Sequence, residues 1–261
     1  MLRIENLRFS YYGKSIINGI DLDIGTGLTV LLGPNGCGKT TLIRLMCGHL
    51  NPESGSCTLD GHEIRTIPAR SRARRLAYVS QRGYAGGDIS VRDSVLLGRY
   101  AFTGILRSYS ALDISAAENA MARCGVLELA DRSVLALSGG ELQRVLLAKA
   151  LAQIYYAPEN AFSALLLDEP VTGLDIKHQL RFMALAKEIS AERCVVAVLH
   201  DIELAARFAQ RIIVIKDGRV FADGSPAEVL TADVLKEVWE IDGSISYISG
   251  QPFLKLSGDG I

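Results

Sequence analysis

The stretch VLLGPNGCGKTTLIRL, Val30 to Leu45, sets one lysine and two threonines behind a run of small residues. Gly33, four intervening residues, then Gly38, Lys39 and Thr40 satisfy the G-x-x-x-x-G-K-[ST] spacing of a phosphate loop. Glycines allow backbone angles that a side chain forbids, so successive N–H groups can face one hollow. Pro34, Asn35, Gly36 and Cys37 complete the loop, with Cys37 read as a small filler. Thr40, Thr41 and Leu42 open a helix whose first N–H groups add partial positive charge. Lys39 supplies a full positive charge to β- and γ-phosphates. The Thr40 hydroxyl suits Mg²⁺, a hard cation that takes oxygen ligands.

Further residues supply what such a loop needs. LLLDEP puts Asp168 and Glu169 at the end of an apolar run. Asp168 is the second acidic contact for a metal, through water, and Glu169 can orient and polarise an attacking water as general base. VLHD places His200 where it can bond a γ-phosphate or that water, although a lone histidine is more often structural. YVSQ ends a strand with Ser80 and Gln81, and the Gln81 amide can contact Mg²⁺ or water. In LSGGELQR, Ser138 caps a helix and Glu141 completes a capping box. Ser138, Gly139 and Gly140 also read as a second anion site at a helix N-terminus, about a hundred residues from the first. Two phosphate-binding ends on one chain raise the arrangement in which two chains hold one nucleotide.

The elements that must position these residues follow from the patterning. LRIENLRFSYY, SIINGIDLDI, LTVLLG and GSCTLDGHEI read as strands, the early ones forming a small antiparallel sheet. Thr40–Leu50 reads as a helix. Ser90–Ala152 is mostly helical, with a break near Gly104–Ser110. ALLLDEP and CVVAVLHD are continuous apolar runs, as buried parallel strands require, and their functional residues lie at the C-terminal ends where α/β sheets bind ligands. RIIVIKDGRVFADG reads as a hairpin turning at Asp217-Gly218. The basic stretch RSRARRL, Arg70 to Leu76, reads as a solvated helix face.

The whole chain sets bounds. At 261 residues and 49% hydrophobic content it can build a sizeable core, and a net charge of −1 provides no global field for nucleic acid. Five scattered cysteines without a C-x-x-C pair argue against a zinc site or disulfide framework and fit a reducing compartment. The N-terminus lacks a signal-peptide core, and no apolar run reaches the roughly twenty residues of a membrane span, so any membrane role is expected to go through a partner.

GPNGCGKTT, LSGGELQR, LLLDEP, TGLD and VLHD, in this order, closely resemble the ATP-binding subunits of ABC transporters, over nearly the entire chain. The resemblance implies an α/β P-loop NTPase fold: a RecA-like core with a mostly parallel sheet, a small antiparallel β subdomain and a helical subdomain. It implies one domain over 1–261, with a nucleotide-binding core at 1–87 and 153–261 and a helical subdomain at 88–152. The implied ligands are ATP and Mg²⁺, with two subunits sandwiching two ATP molecules head to tail. Gly33 to Thr41 would be the Walker A loop, Asp168 the Walker B aspartate and Glu169 the catalytic base. Gln81 would touch Mg²⁺ and the transmembrane partner. Ser138, Gly139 and Gly140 would bind the γ-phosphate of the other subunit's ATP. Asp175 would lie in the D-loop across the dimer, and His200 would be the switch histidine. Tyr11 is placed like the aromatic that stacks on adenine, with Tyr12 the alternative and a strand residue packed on its sheet the bland reading.

SVRDSVLLGRYAF and VVAVLHDIELAARFAQRIIVIKDGRVFADGSPAEVL look like ATPases of metal-chelate importers, the branch that handles iron-siderophores, heme and cobalamin and includes some molybdate systems. That implies permease subunits, indirectly a substrate-binding protein, a homodimer when ATP is bound, no nucleic acid, and a peripheral place on the cytoplasmic membrane face. The rivals are a soluble ABC-type ATPase of DNA repair or translation and a nucleotide-binding regulatory module without turnover; the ATPase of an exporter is a narrower alternative. Tyr155–Phe162 adds residues between the LSGGELQR signature helix and Walker B, EPVTGLD replaces the more usual EPTSALD, and the extra regulatory domain of some importer ATPases is not expected.

Overall fold

The computed structural model describes residues 1–80, 88–103, 108–155, 161–248 and 251–256. They form two packed units, residues 1–65 with 186–261, and residues 66–185.

The first unit holds an antiparallel sheet in the order Lys14–Ile24, Leu2–Tyr11, Ser54–Leu59, His62–Glu63. Leu2 and Ile4 face inward, and Leu7 and Phe9 resume the inward face one position out of phase. The phase slip is absorbed by a register shift between Ile4 and Leu7, where Asn6 takes a φ of 43°. The expected small antiparallel sheet is therefore present, with a bulge where the alternation breaks.

The same unit contains the strand Gly27–Leu32, parallel to Cys194–Val198 on one side and to Arg211–Lys216 on the other. The run from Cys194 to Val198 is wholly buried, which explains its lack of alternation. Arg211–Lys216 turns back through Asp217 (φ 50°) and Gly218 (φ 71°) into Arg219–Gly224, the predicted hairpin. Gly218 is needed twice over, because a Cβ there would overlap the Ile16 carbonyl oxygen. A second hairpin, Gly243–Ile248 with Gln251–Leu256, was absent from the sequence reading; the Glu203 carboxylate accepts from the Leu254 N–H at 2.7 Å.

The helix after the phosphate loop runs Lys39–Met46, starting one residue before and ending four residues before the predicted Thr40–Leu50. Gly48 takes a φ of 69°, and the N–H groups of His49 and Leu50 turn back to the Arg44 carbonyl. A left-handed glycine ends the helix where periodicity alone would have continued it.

In the second unit Leu76–Val79 and Ala164–Asp168 are parallel, with Val79 opposite Leu167. The helices Val91–Leu96, Ala111–Arg123 and Gly139–Ile154 supply the expected helical segment. Of the predicted break, 104–107 lies outside the described residues; Ser110 restarts the chain with a capping box to Asp113. Arg99 is only 2% exposed. Its Nε donates to Asp113 Oδ1 at 3.0 Å, its other arm to the Ala152 carbonyl at 2.8 Å, and the guanidinium lies 3.5 Å from the Phe102 ring centre. A buried charge is tolerated because each side of it meets a partner.

The basic stretch at Arg70–Leu76 is more than a solvated face. Arg70 and Arg74 both donate through Nε to the Ala101 carbonyl, at 2.8 and 3.0 Å, and Arg75 donates to the Phe162 carbonyl at 3.1 Å. These arginines satisfy backbone carbonyls after the helix Val91–Leu96 and before the strand Ala164–Asp168, a long-range role that charge pattern cannot reveal.

Candidate functional site

The loop at Gly33–Thr41 follows directly from the strand Gly27–Leu32. Gly33, Gly36 and Gly38 have φ values of 144°, 77° and 108°, where side chains are strained. A Cβ at Gly33 would overlap the Ile215 carbonyl oxygen, and one at Gly38 would lie 2.9 Å from Ile17 Cδ1. The loop thus runs hard against its neighbouring strands, and its exposed tip is Asn35 and Gly36. Around Gly36 a Cβ would meet nothing within 4 Å, so this side of the loop is open.

Lys39 is the first helical residue and is buried. Its Nζ donates to the Gly33 carbonyl at 2.7 Å and the Pro34 carbonyl at 2.9 Å. Cys37 Sγ lies 3.8 Å from that ammonium. Burial pushes the Cys37 thiol up and Lys39 pulls it down, with burial the larger, so it stays a protonated filler. No acidic residue lies in the first turn of the Lys39–Met46 helix and no side chain caps it. Its positive end is therefore left to an incoming anion. Glycine-directed amides, a lysine ammonium and an uncapped helix start form a donor set that fits a polyphosphate.

Thr40 is half-buried and Thr41 buried beside the loop. His200 is exposed, just past Cys194–Val198. The register pairs Leu31 with Val198, and the Leu199 N–H donates to the Leu31 carbonyl at 3.2 Å. Gly33 and His200 thus leave adjacent parallel strands at the same end. Tyr11 belongs to the separate antiparallel sheet, its ring edge-on to Phe9 at 4.7 Å. Tyr12 is fully exposed at the hairpin turn, with φ 50°.

In the second unit Asp168 ends its strand and is 2% exposed. The Tyr78 hydroxyl donates to Asp168 Oδ2 at 3.0 Å. The sequence reading missed Tyr78; its only cue was a hydroxyl inside the otherwise apolar LAYV. Glu169 follows with φ 51°, a left-handed conformation rare outside glycine, and its carboxylate accepts from Thr172 Oγ1 at 3.2 Å. Ser80 lies one step past the Val79–Leu167 pair, level with Asp168. Gln81 lies outside the described residues, as do 156–160 of the extra Tyr155–Phe162 stretch.

Ser138 caps the helix Gly139–Ile154, and its capping box with Glu141 is complete. The Ser138 N–H and hydroxyl hold the Glu141 carboxyl below the usual range. Asp175 Oδ1 accepts from the His178 N–H at 2.9 Å and faces His178 Nδ1 at 2.8 Å. Those two bonds, the backbone one first, hold the Asp175 carboxyl low. The structure therefore groups Gly33–Thr41 with His200 in the first unit, and in the second places Asp168 beside Tyr78 and Asp175 beside His178.

The family described as ABC transporter matches residues 17–172. Over 242 residues the chain is 38% identical to the cobalamin import ATP-binding protein BtuD of Halobacterium salinarum, covering 92% of this chain and 58% of that protein. It therefore spans little more than half the length of that relative. Over 241 residues it is 36% identical to the ferric enterobactin transport ATP-binding protein FepC of Escherichia coli K12, covering 91% of this chain and 86% of that one. Among solved structures it is similar to CbiO1 from Clostridium perfringens, part of the ABC transporter complex CbiONQ, with a TM-score of 0.75, 28% identity, and coverage of 90% and 92%. Among the described residues, no helix is long and apolar enough to cross a membrane. With its phosphate loop, capped LSGGELQR helix and aspartate-terminated strand, this chain belongs to the ABC transporter family.

Proposed function

We propose that the chain is the ATP-hydrolysing subunit of an importer for a metal-containing substrate such as an iron chelate, heme or cobalamin. The observation that carries the ATPase is the loop at Gly33–Thr41, where a buried lysine, left-handed glycines and an uncapped helix start converge. Lys39 exchanges its bonds to the Gly33 and Pro34 carbonyls for the β- and γ-phosphates of ATP. Mg²⁺, when bound, supplies charge neutralisation at those phosphates, and the Thr40 hydroxyl, the Gln81 amide and the Asp168 carboxylate are the oxygen donors for it. Glu169 acts as general base on the attacking water, and His200 bonds the γ-phosphate or that water. Tyr11 stacks on adenine.

Ser138, Gly139 and Gly140 bind the γ-phosphate held by a second copy, and Asp175 reaches across that dimer. ATP closes the two copies and hydrolysis releases them, so ATP must bind the closed pair more tightly than the open one. The helical segment 88–152 meets a transmembrane permease, which places the chain on the cytoplasmic membrane face and links it indirectly to a substrate-binding protein. The importer branch is supported by the names of the relatives for cobalamin and ferric enterobactin.

The test is purification from membranes in mild detergent, with phosphate release assayed with and without Mg²⁺. A co-purifying multi-span permease and Mg²⁺-dependent release are expected. Recovery with ribosomal or DNA-repair partners instead would overturn the transport role and leave the ATPase standing.

A further inference from the structure

Gly140 is buried in the first turn of the Gly139–Ile154 helix, in backbone that any residue can adopt, since its φ is not among the positive ones. Backbone conformation therefore does not demand glycine there, and alanine would be the better helix former. The demand comes from His178. A Cβ on Gly140 would lie 2.5 Å from His178 Cδ2, 2.8 Å from Cγ and 3.0 Å from Nε2. One position earlier the crowding is gone, as a Cβ on Gly139 would meet only Leu174 Cδ2, at 3.8 Å. The segment Leu174–His178 thus lies along the start of the signature helix, and the imidazole occupies the place of the missing side chain.

The ring's orientation is set from its other side. Asp175 caps the helix Ile176–Ser190 by accepting from the His178 N–H, and the same oxygen faces His178 Nδ1 at 2.8 Å. The carboxylate of Asp175 is an acceptor, so Nδ1 carries the proton, and the Cδ2–Cγ edge of the ring is turned toward Gly140. Asp175 orients the imidazole, and the imidazole sets the spacing to the Gly140 backbone.

We infer that His178 is a positioning residue for the nucleotide site shared between two copies. It sets Ser138–Gly140, the γ-phosphate contact, and Asp175, the cross-dimer contact, at one mutual distance. This role presupposes the two-copy site proposed above. It predicts that the ring matters after ATP has bound one chain, when the second copy closes.

The test is a size exchange between residues 140 and 178. Nucleotide affinity of the single chain, kcat and KM are measured for His178→Ala, His178→Asn, Gly140→Ala and the Gly140→Ala/His178→Ala pair with Glu169 intact, and ATP-driven dimerisation is measured for the same variants carrying Glu169→Gln. His178→Ala is expected to leave single-chain affinity and KM within about twofold, while kcat and dimerisation fall about tenfold. His178→Asn, which keeps a donor toward Asp175, recovers part of the loss. Gly140→Ala loses more than His178→Ala, and the double variant recovers from Gly140→Ala because the alanine methyl then has room. Thermal melts check that each variant is folded, and Gly140→Ala approaches the contact from the opposite side should His178→Ala unfold. Normal kcat and dimerisation in His178→Ala, or a double variant no better than Gly140→Ala, would overturn the role of His178 alone. A native protein with neither hydrolysis nor ATP-driven dimers would overturn the two-copy site as well.

Discussion

Lys39 folds back onto its own loop, its Nζ donating to the Gly33 carbonyl at 2.7 Å across six residues of sequence. A buried ammonium must have partners, and the Gly33 and Pro34 carbonyls provide them. Lys39→Ala removes the charge proposed to meet the phosphates. Nucleotide affinity is expected to fall by about 100-fold, in line with a lost hydrogen bond to a charged group. Calorimetric titration with ATP checks this, and unaltered affinity would contradict the loop's assignment.

Glu169→Gln separates binding from turnover. The glutamine carbonyl can still accept from Thr172 Oγ1, so the left-handed turn at residue 169 keeps its local partner. The change removes the proposed general base, and phosphate release is expected to drop by about 10²–10⁴-fold. ATP should remain bound in a closed dimer, visible by size-exclusion chromatography. Turnover at the native rate would remove Glu169 from the base role.

Tyr78→Phe tests the support under Asp168. Its hydroxyl donates to Asp168 Oδ2 at 3.0 Å, and the ring sits in a strand whose register is set by Val79 opposite Leu167. Losing one such bond costs about 1 kcal/mol. The expected readout is a rise of about fivefold in the Mg²⁺ concentration for half-maximal phosphate release, with ATP affinity in the absence of Mg²⁺ unchanged.

Acid stability should report the Arg99–Asp113 pair. Burial pushes the Asp113 carboxyl up, but the Ser110 hydrogen bonds and the Arg99 guanidinium outweigh burial and hold it below its ordinary value. A carboxyl lowered in the folded state contributes stability that is fully present above the usual value near 3.9 and lost as pH falls through the folded value. Thermal melts of the native chain should therefore hold steady above about pH 5 and decline below about pH 4. Asp113→Asn should flatten part of that acid decline. Arg99→Ala, which leaves Asp113 buried without its cation, should cost about 3–5 kcal/mol by urea unfolding at neutral pH.

Much of this protein was decided by neighbours in sequence. The turn-and-helix-start geometry at Gly33–Thr41 was legible from Gly33, Gly38, Lys39 and Thr40 because glycine conformation and helix-start chemistry act over a few residues. The buried parallel strands Ala164–Asp168 and Cys194–Val198 were legible as apolar runs, and the Asp217-Gly218 turn as a dipeptide suited to positive φ. The Ser138–Glu141 capping box was likewise complete within four residues. Other features needed the folded chain. Gly48 ends the helix early by taking a left-handed angle that neighbouring residues do not announce. Tyr78 meets Asp168 across 90 residues through strand register, and Arg99 meets Asp113 and Ala152 only once three segments pack around it. Gly140 is a glycine because of His178, not because of its own backbone. Local conformation is written in adjacent residues. Which side chain fills the space beside a distant backbone is decided only when packing brings the two together.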